Sequence, residues 1–212
     1  GIDLPSEGTS SFWSKENVGP VELATMSFGQ RFTITPIQLI TAISSIANDG
    51  KMVTPHVVKK VENPDTGTVT NIETQEVRQV ISTETANKMK DMMKSVVEEG
   101  GGKYAQVKGY TIGGKTGTSE PDPNHPENGY VASFVAIAPV DNTELVALLT
   151  LYNPQGSNYY GGSIAAPVVS QILSEVLPYL DIPSNDSSSE NTEQTISVPD
   201  VTNKTVAEAQ KK

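Results

Sequence analysis

The sequence predicts an α+β chain in which an antiparallel sheet packs against helices. Three observations point there. Apolar residues recur at helical spacing in three separate stretches. Two apolar runs, Tyr130 to Ala138 (YVASFVAIA) and Thr143 to Tyr152 (TELVALLTLY), are separated only by the turn Pro139-Val140-Asp141-Asn142, which makes them antiparallel neighbours. A second turn signal, Asn63-Pro64-Asp65-Thr66-Gly67, joins two strand-like flanks into a hairpin.

The elements follow in chain order. Residues 1–34, rich in Gly, Ser and Pro, read as loop and short elements. At Thr35-Pro36-Ile37-Gln38 an N-cap, a proline at the first helical position and a capping-box glutamine coincide. Ile37, Ile40, Ile43, Ile46 and Ala47 mark one face of that helix, and Asn48-Asp49-Gly50 stops it. Met52 to Val61 reads as strand. Ser82 or Thr83 caps a second helix, with Glu84 in its first turn. Ala86, Met89, Met93, Val96 and Val97 line its inner face, and Gly100-Gly101-Gly102 ends it. Methionines at this spacing read as packing rather than as a soft binding surface. Short strands are expected at Val107–Tyr110 and Lys115–Thr118. The Thr143–Tyr152 run is almost wholly apolar, which predicts burial on both faces. A third helix follows Gly161-Gly162, with Ser163 as cap and Pro167 in its first turn. Ile164, Val168, Ile172, Leu173, Val176 and Leu177 are expected to face inward.

Residues 1–182 therefore read as one folded portion. Residues 183–195 are polar, acidic and without periodicity, the composition of a flexible linker. Residues 196–212 regain pattern, an extended Ser197-Val198-Pro199-Asp200-Val201 followed by a helix-like Thr205 to Gln210. That stretch is too short to bury a core and reads as the start of a further module.

Composition excludes several function classes. The 212 residues carry 15 Lys+Arg against 25 Asp+Glu, a net charge of -10, which argues against a nucleic-acid partner. There is no cysteine, so disulfides, zinc-thiolate sites and thiol nucleophiles are absent. Two histidines, His56 and His125, are too few for most metal sites. His56 is expected to be structural and His125 exposed in a loop, and no metal or cofactor is expected. No apolar run approaches the roughly 18 residues of a spanning helix, and Gly1-Ile2-Asp3-Leu4-Pro5 does not open a signal peptide. The piece is expected to be soluble, any membrane anchor lying outside it.

The chemistry concentrates in Gly109-Tyr110-Thr111-Ile112-Gly113-Gly114-Lys115-Thr116, which matches the phosphate-loop pattern G-x-x-x-x-G-K-[ST]. A phosphate loop needs a helix opening at Gly-Lys-Thr. Here Pro121, Pro123 and Pro126 follow, together with Gly117 and Gly129, which forbids that helix. The same letters contain Lys115-Thr116-Gly117-Thr118, and Lys-Thr-Gly on a strand is one of the motif triplets of β-lactamases and penicillin-binding proteins. A cation and neighbouring hydroxyls suit an anionic carboxylate. A glycine lets the backbone come close to a substrate.

Further segments carry a family resemblance. They are Gly1 to Glu7 (GIDLPSE), Val21 to Gln30 (VELATMSFGQ), Thr33 to Gln38 (TITPIQ), Ala47-Asn48-Asp49-Gly50 with Thr54-Pro55, Gly114 to Thr118 (GKTGT), and Tyr160-Gly161-Gly162 before Ala165-Ala166-Pro167. In this order they resemble the C-terminal half of a class B penicillin-binding protein transpeptidase domain, of the division or sporulation type, over about residues 1–180. The tail, Val198-Pro199-Asp200 with Thr205 to Ala209, resembles the opening of a PASTA module.

The resemblance implies an incomplete part of the penicillin-binding/serine β-lactamase-like fold and, for the parent protein, a serine-type D,D-transpeptidase of peptidoglycan synthesis. It further implies a parent anchored in the membrane at its outer face. The partners implied are a stem peptide ending in D-Ala-D-Ala, β-lactams, the upstream half of the same domain, and division or sporulation assemblies. Lys115 would supply positive potential. Thr116 and Thr118 would bind the terminal carboxylate, Gly117 would permit close approach, and the Thr118 backbone N–H would be one oxyanion-hole donor. Glu120 stands where many relatives have glutamine, and strand alternation would place it on the face of Thr116 and Thr118. Tyr159-Tyr160-Gly161-Gly162 would shape the rim near the third helix, Tyr160 either contacting substrate or serving a structural role. The family's nucleophile, the serine of Ser-x-x-Lys, is missing: no lysine here has a serine three positions before it. Ser189-Glu190-Asn191, the one Ser-x-Asn, sits in the linker and reads as chance. The chain alone is thus expected to be inactive. A non-catalytic β-lactam sensor or peptidoglycan-binding scaffold is the alternative. The missing upstream part is expected to leave the first strand of the main sheet with an unpaired edge and the third helix with nothing to cross.

Overall fold

The computed structural model describes residues 1–121 and 125–185; most of the expected linker and the whole of the 196–212 stretch lie outside the described residues. The first third is built from small pieces. Helix α1 spans Pro20–Met26 and helix α2 Pro36–Ala47. Thr35 caps α2 as the sequence predicts, its Oγ1 accepting the Gln38 N–H at 3.3 Å. The reciprocal half of the capping box is routed through a third residue. The Thr35 N–H donates to Ser10 Oγ at 3.2 Å, and the Ser10 hydroxyl in turn donates to Gln38 Oε1. The Thr35 hydroxyl donates to Glu7 Oε1 at 3.1 Å. This knot ties residues 7–10 to the start of α2 with polar bonds alone.

Met52–Val61 is not one strand. Strand β1 (Lys51–Val53) stops before Pro55, which has no N–H to donate, and β2 (Lys60–Glu62) begins beyond it. Strand β3 (Val69–Asn71) pairs with β2 across the predicted turn, and β4 (Glu76–Gln79) pairs with β1. The Asn63 Oδ1 accepts the N–H groups of Asp65 and Thr66 at 2.9 and 3.2 Å, and Gly67 takes a left-handed φ of 68°. His56 is held by its own loop, its Nδ1 lying 3.0 Å from Val58 O, while His125 is exposed beside Glu127.

Helix α3 (Thr83–Glu98) is capped by Ser82, whose Oγ accepts the Thr85 N–H at 3.2 Å. It buries Ala86, Met93 and Val97, whereas Met89 is exposed. The expected strand at Val107–Tyr110 is instead a tight turn closed by one bridge, with Gly109 at a φ of 81°. The main sheet has three antiparallel strands, β5 (Gly113–Ser119), β6 (Val131–Ala138) and β7 (Leu145–Tyr152), in that spatial order. A short helix α4 (Gly161–Ile164) leads into α5 (Ala166–Tyr179).

The two faces of β6 carry the core. Phe134, Ala136 and Ala138 point into a cluster with Val97, Ile112 and the α5 residues Ala166, Val169, Leu173 and Leu177. Ile137 points the other way, to Met93 and Val140, with Ile43, Ile46 and Ala47 of α2 packed against them. The central strand is therefore the one buried on both sides. β7, expected to be so, is only half-buried along its length, because it is an outer strand with no second partner among the described residues. β5 likewise has no second strand partner among the described residues. The third helix, in contrast, does have something to cross: α5 lies on the sheet face of Phe134 and Ala136.

Its inward face is also rotated from the predicted one. Leu173 and Leu177 are buried as expected, and Ala166 and Val169 join them, but Val168 and Ile172 are exposed. Ser163 does not cap the helix, since it lies inside α4 and the N-cap position of α5 is Ala165. The side of α5 that meets Phe134 and Ala136 carries Ala166, Val169, Leu173 and Leu177, one position on from the expected Val168 and Ile172.

Candidate functional site

The site is built around β5. Gly113 and Gly114 start the strand buried under neighbours: a Cβ on Gly114 would lie 2.5 Å from Phe134 Cζ and 2.9 Å from Val135 O. Glycine here is a packing requirement of Phe134, the largest fully buried side chain. Beyond it the strand emerges. Lys115 is exposed, and its Nζ donates to Thr116 O at 2.8 Å. No ion pair of Lys115 is present among the described residues, whereas Lys51, Lys88 and Lys90 are each paired with a carboxylate.

Thr116, Gly117 and Thr118 are half-buried, paired in register with Phe134, Ser133 and Ala132. The Cβ that Gly117 lacks would sit 2.5 Å from Ser133 Oγ. The expected reason for this glycine was close approach of substrate; the strand shows a second, the serine hydroxyl of its cross-strand neighbour. β5 ends at Ser119, so strand alternation does not extend to Glu120, which is exposed ahead of Pro121.

The Tyr160-Gly161-Gly162 segment is laid directly on this strand. The Gly161 N–H donates to Thr118 Oγ1 at 3.1 Å, a contact across 43 residues. A Cβ on Gly161 would lie 2.2 Å from Ser133 O and 2.4 Å from Gly117 O, and one on Gly162 would lie 2.4 Å from Gly101 O. Only glycine allows such proximity of backbone to backbone. The triple glycine after α3, read as a helix stop, is thereby also a seat for α4.

Tyr160 stands half-exposed at the rim. Its ring is tilted against Tyr159 at 4.6 Å, and Tyr159 stacks on Tyr130 at 3.9 Å between centroids. The Tyr159 and Tyr160 hydroxyls are 3.4 Å apart, and this hydrogen bond pushes the Tyr160 phenol above its ordinary value. Tyr130 and Tyr159 were not expected as partners. Their signal lies in position, since Tyr130 immediately precedes the strand paired with β5. Gly129 and Asn153 lock the base of this stack: both have positive φ (67° and 47°), and Asn153 N–H donates to Tyr130 O at 2.8 Å.

No group of three or more metal-ligating side chains occurs among the described residues, and no helix there is long and apolar enough to cross a membrane. The arrangement offers an exposed cation, two threonine hydroxyls and an open strand edge in one line. That set suits an extended anionic ligand lying along β5.

Comparison with known proteins bears on the family and the fold. Residues 1–174 match the penicillin binding protein transpeptidase domain. Stage V sporulation protein D of Bacillus subtilis (strain 168) is 40% identical over 216 residues, covering 98% of this chain and 33% of that protein. Peptidoglycan D,D-transpeptidase FtsI of Escherichia coli (strain K12) is 31% identical over 185 residues, covering 85% of this chain and 29% of that protein. Among solved structures, the apo TP domain of Burkholderia pseudomallei penicillin-binding protein 3 superposes with a TM-score of 0.73 at 29% identity, over 87% of this chain and 54% of that one. Penicillin binding protein 3 of Mycobacterium tuberculosis in complex with ampicillin gives a TM-score of 0.77 at 27% identity, over 90% of this chain and 44% of that one. The chain spans 33% and 29% of the length of these two curated relatives. A strand carrying Gly-Lys-Thr-Gly-Thr, a sheet with helices on both faces, and a match over most of the sequence converge: the chain belongs to the penicillin-binding protein transpeptidase family.

Proposed function

We propose that this chain is the substrate-binding wall of a class B peptidoglycan D,D-transpeptidase, which joins stem peptides through a serine acyl-enzyme and is acylated by β-lactams. The observation that carries the reading is β5: an exposed Lys115 without an ion pair among the described residues, followed by Thr116, Gly117 and Thr118 on an open edge. A stem peptide ending in D-Ala-D-Ala lies along that edge. Its carboxylate meets the Thr116 and Thr118 hydroxyls in the potential of Lys115. The scissile carbonyl oxygen points at the Thr118 backbone N–H, and loss of one such donor costs on the order of 10²–10³ in rate. Tyr160 borders the peptide at the rim.

The nucleophile comes from outside these 212 residues, which contain no Ser-x-x-Lys. Its serine oxygen attacks the penultimate D-Ala carbonyl and expels the terminal D-Ala as its amine takes up a proton. The amine of a second stem then attacks the ester, releasing the serine. The segment that brings this serine covers the free edge of β7 and the bare apolar residues of the N-terminal third. The parent stands at the outer face of the cytoplasmic membrane through an anchor elsewhere, and residues 196–212 open a PASTA module.

The test is covalent labelling. The chain is incubated with a fluorescent penicillin, with and without the upstream segment, and intact mass is measured. An adduct only with both present is the expected result. An adduct on this chain alone overturns the placement of the nucleophile, and none on the full-length parent favours a binding-only sensor or scaffold. A second measurement concerns Glu120. Glu120→Gln in the parent removes a carboxylate one residue beyond the strand, so acylation by anionic β-lactams should become faster; an unchanged rate removes Glu120 from the site.

A further inference from the structure

We propose that the Gly161 backbone N–H is a positioning group that presets the Thr118 hydroxyl as a hydrogen-bond donor to the ligand carboxylate. The inference rests on the reading of Thr118 given above and adds to it the device that orients that hydroxyl. A threonine hydroxyl has one proton and two acceptor lone pairs, and its rotor is otherwise free. Gly161 N–H can only donate. Where it lies 3.1 Å from Thr118 Oγ1, the hydroxyl must accept, and its own proton is turned away from α4. Among the described residues no acceptor for that proton is present, so a ligand carboxylate is its natural partner. Accepting one hydrogen bond also polarises the O–H for the bond it donates.

The backbone is shaped for this contact. Gly161 is buried, and a Cβ there would be 2.2 Å from Ser133 O and 2.4 Å from Gly117 O, backbone atoms that cannot yield. The next glycine repeats the pattern, since a Cβ on Gly162 would be 3.1 Å from Thr116 Cγ2. Two consecutive glycines thus rest on the two threonines of the strand. The preceding residue is held at the rim: Tyr160 N–H donates to Asn158 Oδ1 at 3.2 Å, and the Tyr160 ring rests on Tyr159. The rim is connected to the carboxylate site by one hydrogen bond.

The experiment uses the full-length protein that carries this chain. Gly161→glycolate, introduced by nonsense suppression, replaces the N–H by an ester oxygen and adds no atom. Acylation rate constants are measured with benzylpenicillin and with its methyl ester, which lacks the carboxylate. The expected result is a loss of about 10-fold for benzylpenicillin and under about 2-fold for the methyl ester, the scale of one hydrogen bond to a charged group. Equal losses for both ligands, or none, overturn the proposal. Thr118→Val separates it from the underlying reading. If Thr118→Val leaves the acid-to-ester rate ratio unchanged, the carboxylate role of Thr118 falls and the proposal with it. If Thr118→Val lowers the ratio and Gly161→glycolate does not, only the proposal falls. A second measurement needs no backbone change. The Gly161 amide proton, followed by NMR in ¹⁵N-glycine-labelled protein, should move downfield on acylation by benzylpenicillin and not by its ester; an equal response to both overturns the proposal.

Discussion

Residues 1–81 and residues 83–182 are built by different rules. Every buried apolar side chain among the described residues lies at or beyond Ala86. The first region buries Thr35 and Ser45 and no large apolar residue, while Leu23 and Phe28 are 65% and 69% exposed. Its pieces are tied together by polar contacts: the knot of Glu7, Ser10, Thr35 and Gln38, the Arg31–Glu22 ion pair at 2.7 Å, and the Asp3 carboxylate accepting the Val57 and Val58 N–H groups at 2.8 and 3.0 Å. Ile43, Ile46 and Ala47 of α2 pack against the apolar cluster of Met93, Ile137 and Val140. Exposed ion pairs and single hydrogen bonds contribute about 1 kcal/mol or less each, against about 2 kcal/mol or more for a buried large side chain. The difference teaches that the site strand owes its position to the second region. The first joins it through α2 and leaves apolar residues such as Leu23 and Phe28 exposed.

The sharpest way to break the second region is Phe134→Ala, which should cost about 3–5 kcal/mol of stability by chemical denaturation. A loss below about 1 kcal/mol would show that β6 is not the keystone. Gly114→Ala comes next. Its Cβ meets the Phe134 ring and Val135 O, so about 1–3 kcal/mol is expected, with β5 displaced and β-lactam acylation of the parent slowed as well. Thr35→Ala in the first region should cost about 1 kcal/mol, the value of a helix cap, and should leave amide exchange in β6 unchanged. Native-state hydrogen exchange compares the regions directly: amides of β5 and β6 should outlast those of β1 to β4, and equal protection would erase the distinction.

The smallest effect is pH-dependent. The Val57 and Val58 N–H groups hold the Asp3 carboxyl below its ordinary value of 3.8. A depressed carboxyl contributes its stabilisation fully above that ordinary value and loses it as pH falls through the folded value. Protection of the Val57 and Val58 amides should therefore persist at neutral pH and fade only in acid below 3.8. In Asp3→Asn that acid dependence should vanish.

Legibility followed the range of the interactions. The α2 cap at Thr35, the turn at Asn63 to Gly67 and the strand run to Ala138 were readable because each depends on neighbours a few residues away. The Lys115-Thr116-Gly117-Thr118 stretch was readable as a strand because the prolines after it forbid a helix. The reading erred where burial depended on distant partners. Thr143 to Tyr152 is apolar enough for a central strand, yet its burial was decided by which strands flank it. Val168 and Ile172 have the spacing of a core face, yet which side of α5 meets the sheet was decided by Phe134 and Ala136, and that side carries Val169 and Leu173.

By its sequence alone the chain determined its local elements, its lack of thiols, and the run of residues that names its family. Caps, turns and motifs act over a few bonds, so letters suffice for them. The tertiary structure decided that Gly161 meets Thr118, that Ser133 fills the space beside Gly117, and that Tyr130 stacks on Tyr159. Those contacts join residues as many as 43 positions apart, so they depend on how distant segments pack together rather than on neighbours in the chain.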